Sequence, residues 1–421
     1  MNILWLQASG CGGCTMSLLC AEAPGLFDLL EDAGLCFLWH PSLSVESGAE
    51  VRALLDRIEA GAQPLDILCV EGAIARGPRG TGRFQMLAGT GRSMLETVTR
   101  LAPLARHVVA VGSCAAFGGM TSAGGNPSDA TGLQYEGTHE GGILPPEFRA
   151  RDGLPVVNVA GCPTHPGWVT ETLMLLGGSA LAAGDLDRFG RPRFYADHLV
   201  HHGCSRNEYY EYKASARTPG EIGCMMEHMG CIGTQAVGDC NIRPWNGSGS
   251  CTSGGYACIA CTAPEFEEPR HPYSETPKIG GIPVGLPSDM PKAWFMALAS
   301  LSKAATPERI RRNAASDRIE VPPRSGCRSD DAAGGRPVQP GRGGSRGSSG
   351  GGGGRCDGGA GECAALPRLR AHARGPRSPR RTDHHAADLR DLLDQPVGRG
   401  SARSARRWVS RLHRRASGWR R

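Results

Sequence analysis

No run of about 18 apolar residues occurs in this 421-residue chain, which leaves no candidate for a membrane-spanning helix. No secretory leader precedes the first motif. Met1-Asn2 passes straight into Ile3-Leu4-Trp5-Leu6-Gln7 and then cysteine, with no twin-arginine pair ahead of it. The expectation is a cytoplasmic protein without membrane contact, in which grouped cysteines are metal ligands sooner than disulfides. Lysine is absent from residues 327–421, a stretch with 18 glycines and with 21 arginines against 8 acidic residues, which leaves it about +13. The whole chain carries +6, so residues 1–326 are acidic, about −7. A basic surface for nucleic acid is therefore not a property of the body, and no nucleic-acid partner is expected.

What is abundant is cysteine, seventeen in all, set in two differently patterned regions. Residues 1–190 alternate short apolar runs with longer mixed segments. Strands are expected at 2–7, 36–40, 66–70, 107–112 and 155–160, and helices at 50–60, 92–102 and 165–176. Alternating strands and helices imply parallel βαβ units, hence an α/β doubly wound sheet. Three strands run directly toward Cys11, Cys114 and Cys162, and ligands gather at the carboxyl ends of strands in such sheets. Residues 191–305 are rich in Gly, Pro, Asn and Cys with poor periodicity. That region has little from which to build an apolar core, and metal centres would serve as its staples.

The cysteines form three sets. The first is Cys11-Gly-Gly-Cys14 with Gly-Ser-Cys114 and Gly-Cys162-Pro163. Two residues between thiolates let one loop present two sulfurs, and adjacent glycines let backbone amides approach a cluster. A redox dithiol or half a zinc site would use the same C-x2-C pair. The two further cysteines after strands favour a cluster. The second set is His201-x2-Cys204, Cys224 and Cys231, and the third is Cys240, Cys251, Cys258 and Cys261. By spacing alone these eight ligands suit two zincs as well as two clusters. Cys20, Cys36 and Cys69 lie in apolar contexts and read as buried free thiols. His165 reads as a loop or hydrogen-bonding residue. His198, His202 and His228 lack the H-x2-C spacing of His201.

The order C-x2-C, G-S-C, G-C-P-x-H-P, H-x2-C, C-x6-C and C-x2-C resembles the small subunit of nickel–iron hydrogenases over about residues 1–305. Ser9–Cys14, Phe37–Leu43, His165–Trp168 and Asn207–Tyr212 are similar to the hydrogen-sensing regulatory branch. The resemblance implies a flavodoxin-like sheet followed by an irregular iron–sulfur domain. It also implies a proximal cluster on Cys11, Cys14, Cys114 and Cys162, a distal one on His201, Cys204, Cys224 and Cys231, and a medial one on Cys240, Cys258 and Cys261; the Cys251 thiolate can supply the fourth medial ligand, so three 4Fe–4S clusters are expected. Cys251 stands where uptake enzymes commonly carry proline beside a three-iron centre; without its ligation the medial cluster would be 3Fe–4S. The distal pair Cys224 and Cys231 has six intervening residues where many relatives have five. Glu71 and Arg76 resemble a family segment facing the partner subunit, although the residues alone equally suit a solvated loop.

Residues 1–326 lack the R-x-C-G-x-C motif of the family's nickel–iron large subunit, so this chain has no catalytic residue of its own for hydrogen. The implied partners are that large subunit and a sensor histidine kinase. The alternatives are a catalytic cytoplasmic uptake hydrogenase and, from another class, a zinc-stapled or nucleic-acid-binding module. Residues 306–326 read as a C-terminal extension and 327–421 as a disordered tail. With permitted codons, residues 335–347 and 386–398 read one base later both yield large-subunit-like segments, the second containing R-x-C-G-x-C. The tail is therefore expected to be a frameshifted run-on into a neighbouring gene.

Overall fold

The computed structural model describes residues 1–268, 274–279, 282–283 and 285–319, so the tail expectations lie outside the described residues. Five strands form the central sheet: β1 (Asn2–Gln7), β2 (Cys36–Trp39), β3 (Ile67–Glu71), β4 (His107–Val111) and β5 (Val157–Val159). All pairings are parallel, in the order β2-β1-β3-β4-β5. This is the doubly wound flavodoxin-like order, with its switch point between β1 and β3. The expected strands are all present, with ends shifted by a residue or two.

Strand alternation divides the core. Leu4, Leu6, Leu68, Val70, Val108 and Ala110 face one layer, joined by α2 (Ala49–Glu59) and α3 (Met94–Leu101). Ile3, Trp5, Ile67, Cys69, Val109 and Val111 face the other, against α1 (Gly13–Leu19) and α5 (Pro166–Gly177). Successive side chains point to opposite faces, and a sheet covered on both sides requires both to be apolar. A short helix, α4 (Ser113–Phe117), follows β4 directly.

Beyond α5 the chain is mostly turns and short helices, among them α6 (Asn207–Glu211). Two later helices follow: α7 (Lys292–Ala304), longer than the poor periodicity of that region suggests, and α8 (Glu308–Ala314). Phe295 of α7 packs with Tyr210 and Met226, and the fully buried Ile310 of α8 packs with Tyr209. The start of the supposed extension at residue 306 thus packs onto the cysteine-rich lobe. Among the described residues no helix is long and apolar enough to cross a membrane.

Candidate metal centres

The first cysteine set assembles at the carboxyl end of the sheet. Cys11 and Cys14 follow β1, Cys114 lies in α4 just after β4, and Cys162 follows β5. Glycine makes the approach possible. Gly112 has φ +86°, and a Cβ on it would fall 2.4 Å from the Cys14 sulfur, so no side chain is tolerated there. Burial raises the Cys14 thiol far above its ordinary range, raises Cys114, and raises Cys162 to about 12. The neighbouring thiolates add to each shift: Cys114 and Cys162 act on Cys14, and Cys11 acts on both Cys114 and Cys162.

Glu71, at the end of β3, is what fixes Cys14. It is 2 % exposed, and its Oε1 accepts from the backbone N–H of Cys14 at 3.0 Å and of Thr15 at 3.1 Å. Its Oε2 accepts from Trp5 Nε1 at 3.3 Å and from the Thr15 hydroxyl. A carboxylate on the first free amides of a helix compensates its dipole and satisfies orphan donors. Glu71 therefore neither sits in a solvated loop nor faces outward; it clamps the first cysteine loop from inside. Arg76 is partly exposed and pairs with Asp129 at 2.6 Å and Glu136 at 3.0 Å.

The second set lines one cavity, bordered by His201, Cys204, Cys224 and Cys231. Burial pushes Cys224 to about 12 and raises Cys231, with Cys204 and Cys231 contributing like charge. The third set follows the same pattern: Cys240 is raised to about 12 by burial and then by the charges of Cys261 and Cys251, and Cys261 is raised to about 11 with Cys251 contributing. Cys251 is exposed yet belongs electrostatically to this group. Backbone amides point at several sulfurs: Gly13 at Cys11, Arg206 at Cys204 and Ala260 at Cys258, each at 3.4 Å.

The three sets form a series. The Ser113 hydroxyl donates to the carbonyl of Cys261, and Cys261 is among the charges felt by Cys162, linking the first set to the third. The Cys258 amide donates to the Cys231 sulfur at 3.3 Å, linking the third to the second. Among the described cysteines all fourteen are free. Buried thiols held together with amides directed at sulfur favour a bound metal cation, which stabilises thiolates that would otherwise repel. The donor sets fit iron–sulfur clusters.

Several residues escaped the sequence reading. Arg206, largely buried, donates to the carbonyls of Glu221 at 2.6 Å, Gly223 at 2.8 Å and Thr252 at 2.9 Å, tying the loops of Cys204, Cys224 and Cys251 together. Asp239 accepts from Trp168 Nε1 at 2.6 Å and braces the loop at Cys240. No spacing signals either role. His165 caps α5 by accepting from the Gly167 amide at 3.1 Å, while its Nε2 lies 3.1 Å from the Arg243 carbonyl, so both nitrogens are engaged away from metal. His202 pairs with Asp289 and His228 lies near Glu227 and Glu275. Cys69 is buried as expected, but Cys20 and Cys36 are exposed. Cys36 opens the edge strand β2 and Cys20 ends α1, positions where an apolar sequence context does not guarantee cover.

Comparison with known proteins places the chain in one family. The family model described as NADH ubiquinone oxidoreductase, 20 Kd subunit, matches residues 11–176, and that of the C-terminal part of the NiFe/NiFeSe hydrogenase small subunit matches 196–274. The F420 non-reducing hydrogenase II small subunit of Methanosarcina mazei is 32% identical over 292 residues, 64% of this chain and 74% of that protein. The periplasmic [NiFeSe] hydrogenase small subunit of Desulfomicrobium baculatum is 30% identical, over 64% of this chain and 86% of its own length. The actinobacterial-type NiFe-hydrogenase of Ralstonia eutropha H16 superposes with TM-score 0.60 at 29% identity, covering 73% of this chain and 92% of that one. With a parallel sheet delivering four thiols to one edge and seven further cysteines with His201 in a second lobe, the chain belongs to the small subunits of nickel–iron hydrogenases, the iron–sulfur, electron-transferring members of hydrogen-oxidising heterodimers whose catalytic site lies in the large subunit.

Proposed function

We propose that the chain relays electrons through three 4Fe–4S clusters in a cytoplasmic hydrogen-sensing hydrogenase. The ligands would be Cys11, Cys14, Cys114 and Cys162 for the proximal cluster, Cys240, Cys251, Cys258 and Cys261 for the medial one, and His201, Cys204, Cys224 and Cys231 for the distal one. The observation that carries the reading is the serial contact of the three sets through Ser113, Cys261, Cys258 and Cys231. Clusters at these positions would supply one-electron sites leading away from the large subunit's metal site. Glu71, Arg206 and Asp239 hold the ligand loops, and the amides directed at sulfur stabilise the thiolate form.

Exposed Met16 and Met120, close in sequence to Cys14 and Cys114, give the proximal edge an apolar rim suited to the large subunit. Cytoplasmic residence is supported by free thiols outside the ligand sets, with Cys20 and Cys36 open to solvent. The sensing role and a histidine-kinase partner rest on the phrases at 9–14, 37–43, 165–168 and 207–212 and on Cys251.

The test is co-expression with the adjacent large-subunit gene, followed by iron analysis, EPR and cell fractionation. About twelve irons per small subunit would support the three-cluster reading. A colourless protein holding only zinc would rule it out. Sustained reduction of an external acceptor without effect on any kinase would favour the uptake-enzyme alternative over sensing.

A further inference from the structure

Next to the cavity of the second ligand set lies a larger pocket of about 330 Å³, between α7 and residues 210–227. This volume is in the range of small-molecule sites. Tyr210, Cys224 and Met226 border both spaces, so the outer pocket reaches the edge of the candidate distal cluster. Its lining is aromatic and thioether in character, from Phe295, Met226 and Met296, surfaces that suit a flat ring.

Charge gives the pocket a sign. Lys213 and Lys303 both line it, and neither forms an ion pair among the described residues. The Lys213 ammonium lies 4.0 Å from the ring centre of Tyr210 and 4.5 Å from that of Phe295, held over aromatic faces. Among the described residues the one lining carboxylate, Glu227, is paired with Lys278 at 2.9 Å.

A second observation points to a ligand. Tyr210 is 3 % exposed, and among the described residues its hydroxyl has no hydrogen-bond partner. A buried polar group left unpaired costs stability, which a ligand carbonyl or ring nitrogen would recover.

We propose that this pocket binds a planar aromatic electron carrier bearing an anionic group, of the flavin mononucleotide class. The ring would lie against Phe295 and Met296, the Tyr210 hydroxyl would donate to it, and the anion would sit between Lys213 and Lys303. Binding stands on the pocket alone; electron exchange through Cys224 rests on the cluster reading above.

The test titrates flavin mononucleotide, and riboflavin as its neutral counterpart, into the purified heterodimer of small and large subunits while following flavin fluorescence. Iron content is measured on the same samples. Saturable binding is expected, with riboflavin weaker by about tenfold, or about 1.4 kcal/mol. Lys303→Glu, on the exposed face of α7, should remove that preference and leave riboflavin binding unchanged. Tyr210→Phe should weaken both ligands, and Ala299→Trp, which fills the pocket, should abolish both. No saturable binding in a heterodimer with full iron content overturns this proposal alone. Flavin binding indifferent to Lys303→Glu and to Ala299→Trp also overturns it. Absence of iron would instead bring down the cluster reading.

Discussion

The Glu71 carboxylate accepts the backbone N–H of Cys14 at 3.0 Å, across 57 residues of sequence and entirely inside the protein. The bond joins the carboxyl end of β3 to the helix that presents the first thiolates, at the switch point of the sheet. The cysteine loop is thereby held by the sheet itself as well as by any metal it carries.

Replacing this residue tests the clamp. Glu71→Ala strands the amides of Cys14 and Thr15 and the indole of Trp5, and should cost about 3 kcal/mol or more. Glu71→Gln retains one acceptor oxygen and should cost less. The expected readout is loss of about four irons per chain in the alanine variant, with a lower denaturant midpoint. Full iron retention together with unchanged stability would show that the clamp is dispensable.

Gly112 offers a steric test of the same centre. Because an added Cβ would lie 2.4 Å from the Cys14 sulfur at a φ of +86°, Gly112→Ala should displace that thiol or its loop. EPR of the reduced heterodimer should lose the proximal signal while the other two centres persist. A normal proximal spectrum in this variant would contradict the crowding.

On the proposed ligand sets, Cys251 would decide the nature of the medial centre. Its charge already acts on Cys240 and Cys261, so Cys251→Pro should remove about one iron and produce a three-iron EPR signal in the oxidised heterodimer. Should the parent protein already show that signal when intact, Cys251 is not a ligand.

Two buried histidines set a pH dependence of stability. Burial lowers His40 and His165 to about 4, whereas an unfolded histidine titrates near about 6.5. Between these values the unfolded chain binds more protons, so stability is full above about pH 6.5 and falls as pH drops toward about 4. Each histidine contributes a slope of up to about 1.4 kcal/mol per pH unit. Denaturant midpoints of the wild type and His40→Asn, compared at about pH 7.5 and about pH 5, should show the smaller pH effect in the variant. Equal losses in both proteins would remove His40 as a cause.

The strands were legible in the sequence because a sheet buried on both faces leaves continuous apolar runs, as at Ile67–Val70 and His107–Val111. Helix α7 was not, since its exposed Trp294, Leu298 and Leu301 blur the amphipathic pattern. The exposure of Cys36 was also hidden, because it depends on β2 being the edge strand, which pairing decides.

The order and spacing of the cysteines marked out, without coordinates, three groups of candidate metal ligands, while their reading as iron–sulfur sets came from the family resemblance, since spacing alone suits zinc as well. Local chemistry suffices to mark such candidates, since C-x2-C loops, strand ends and neighbouring glycines announce themselves within a few residues. Which groups hold those loops was decided only by the tertiary structure. Glu71 reaches Cys14 across a parallel crossover, Arg206 gathers three loops, and Cys258 touches Cys231. Such contacts depend on the closure of long loops around a packed sheet, and no local pattern in a single chain encodes them.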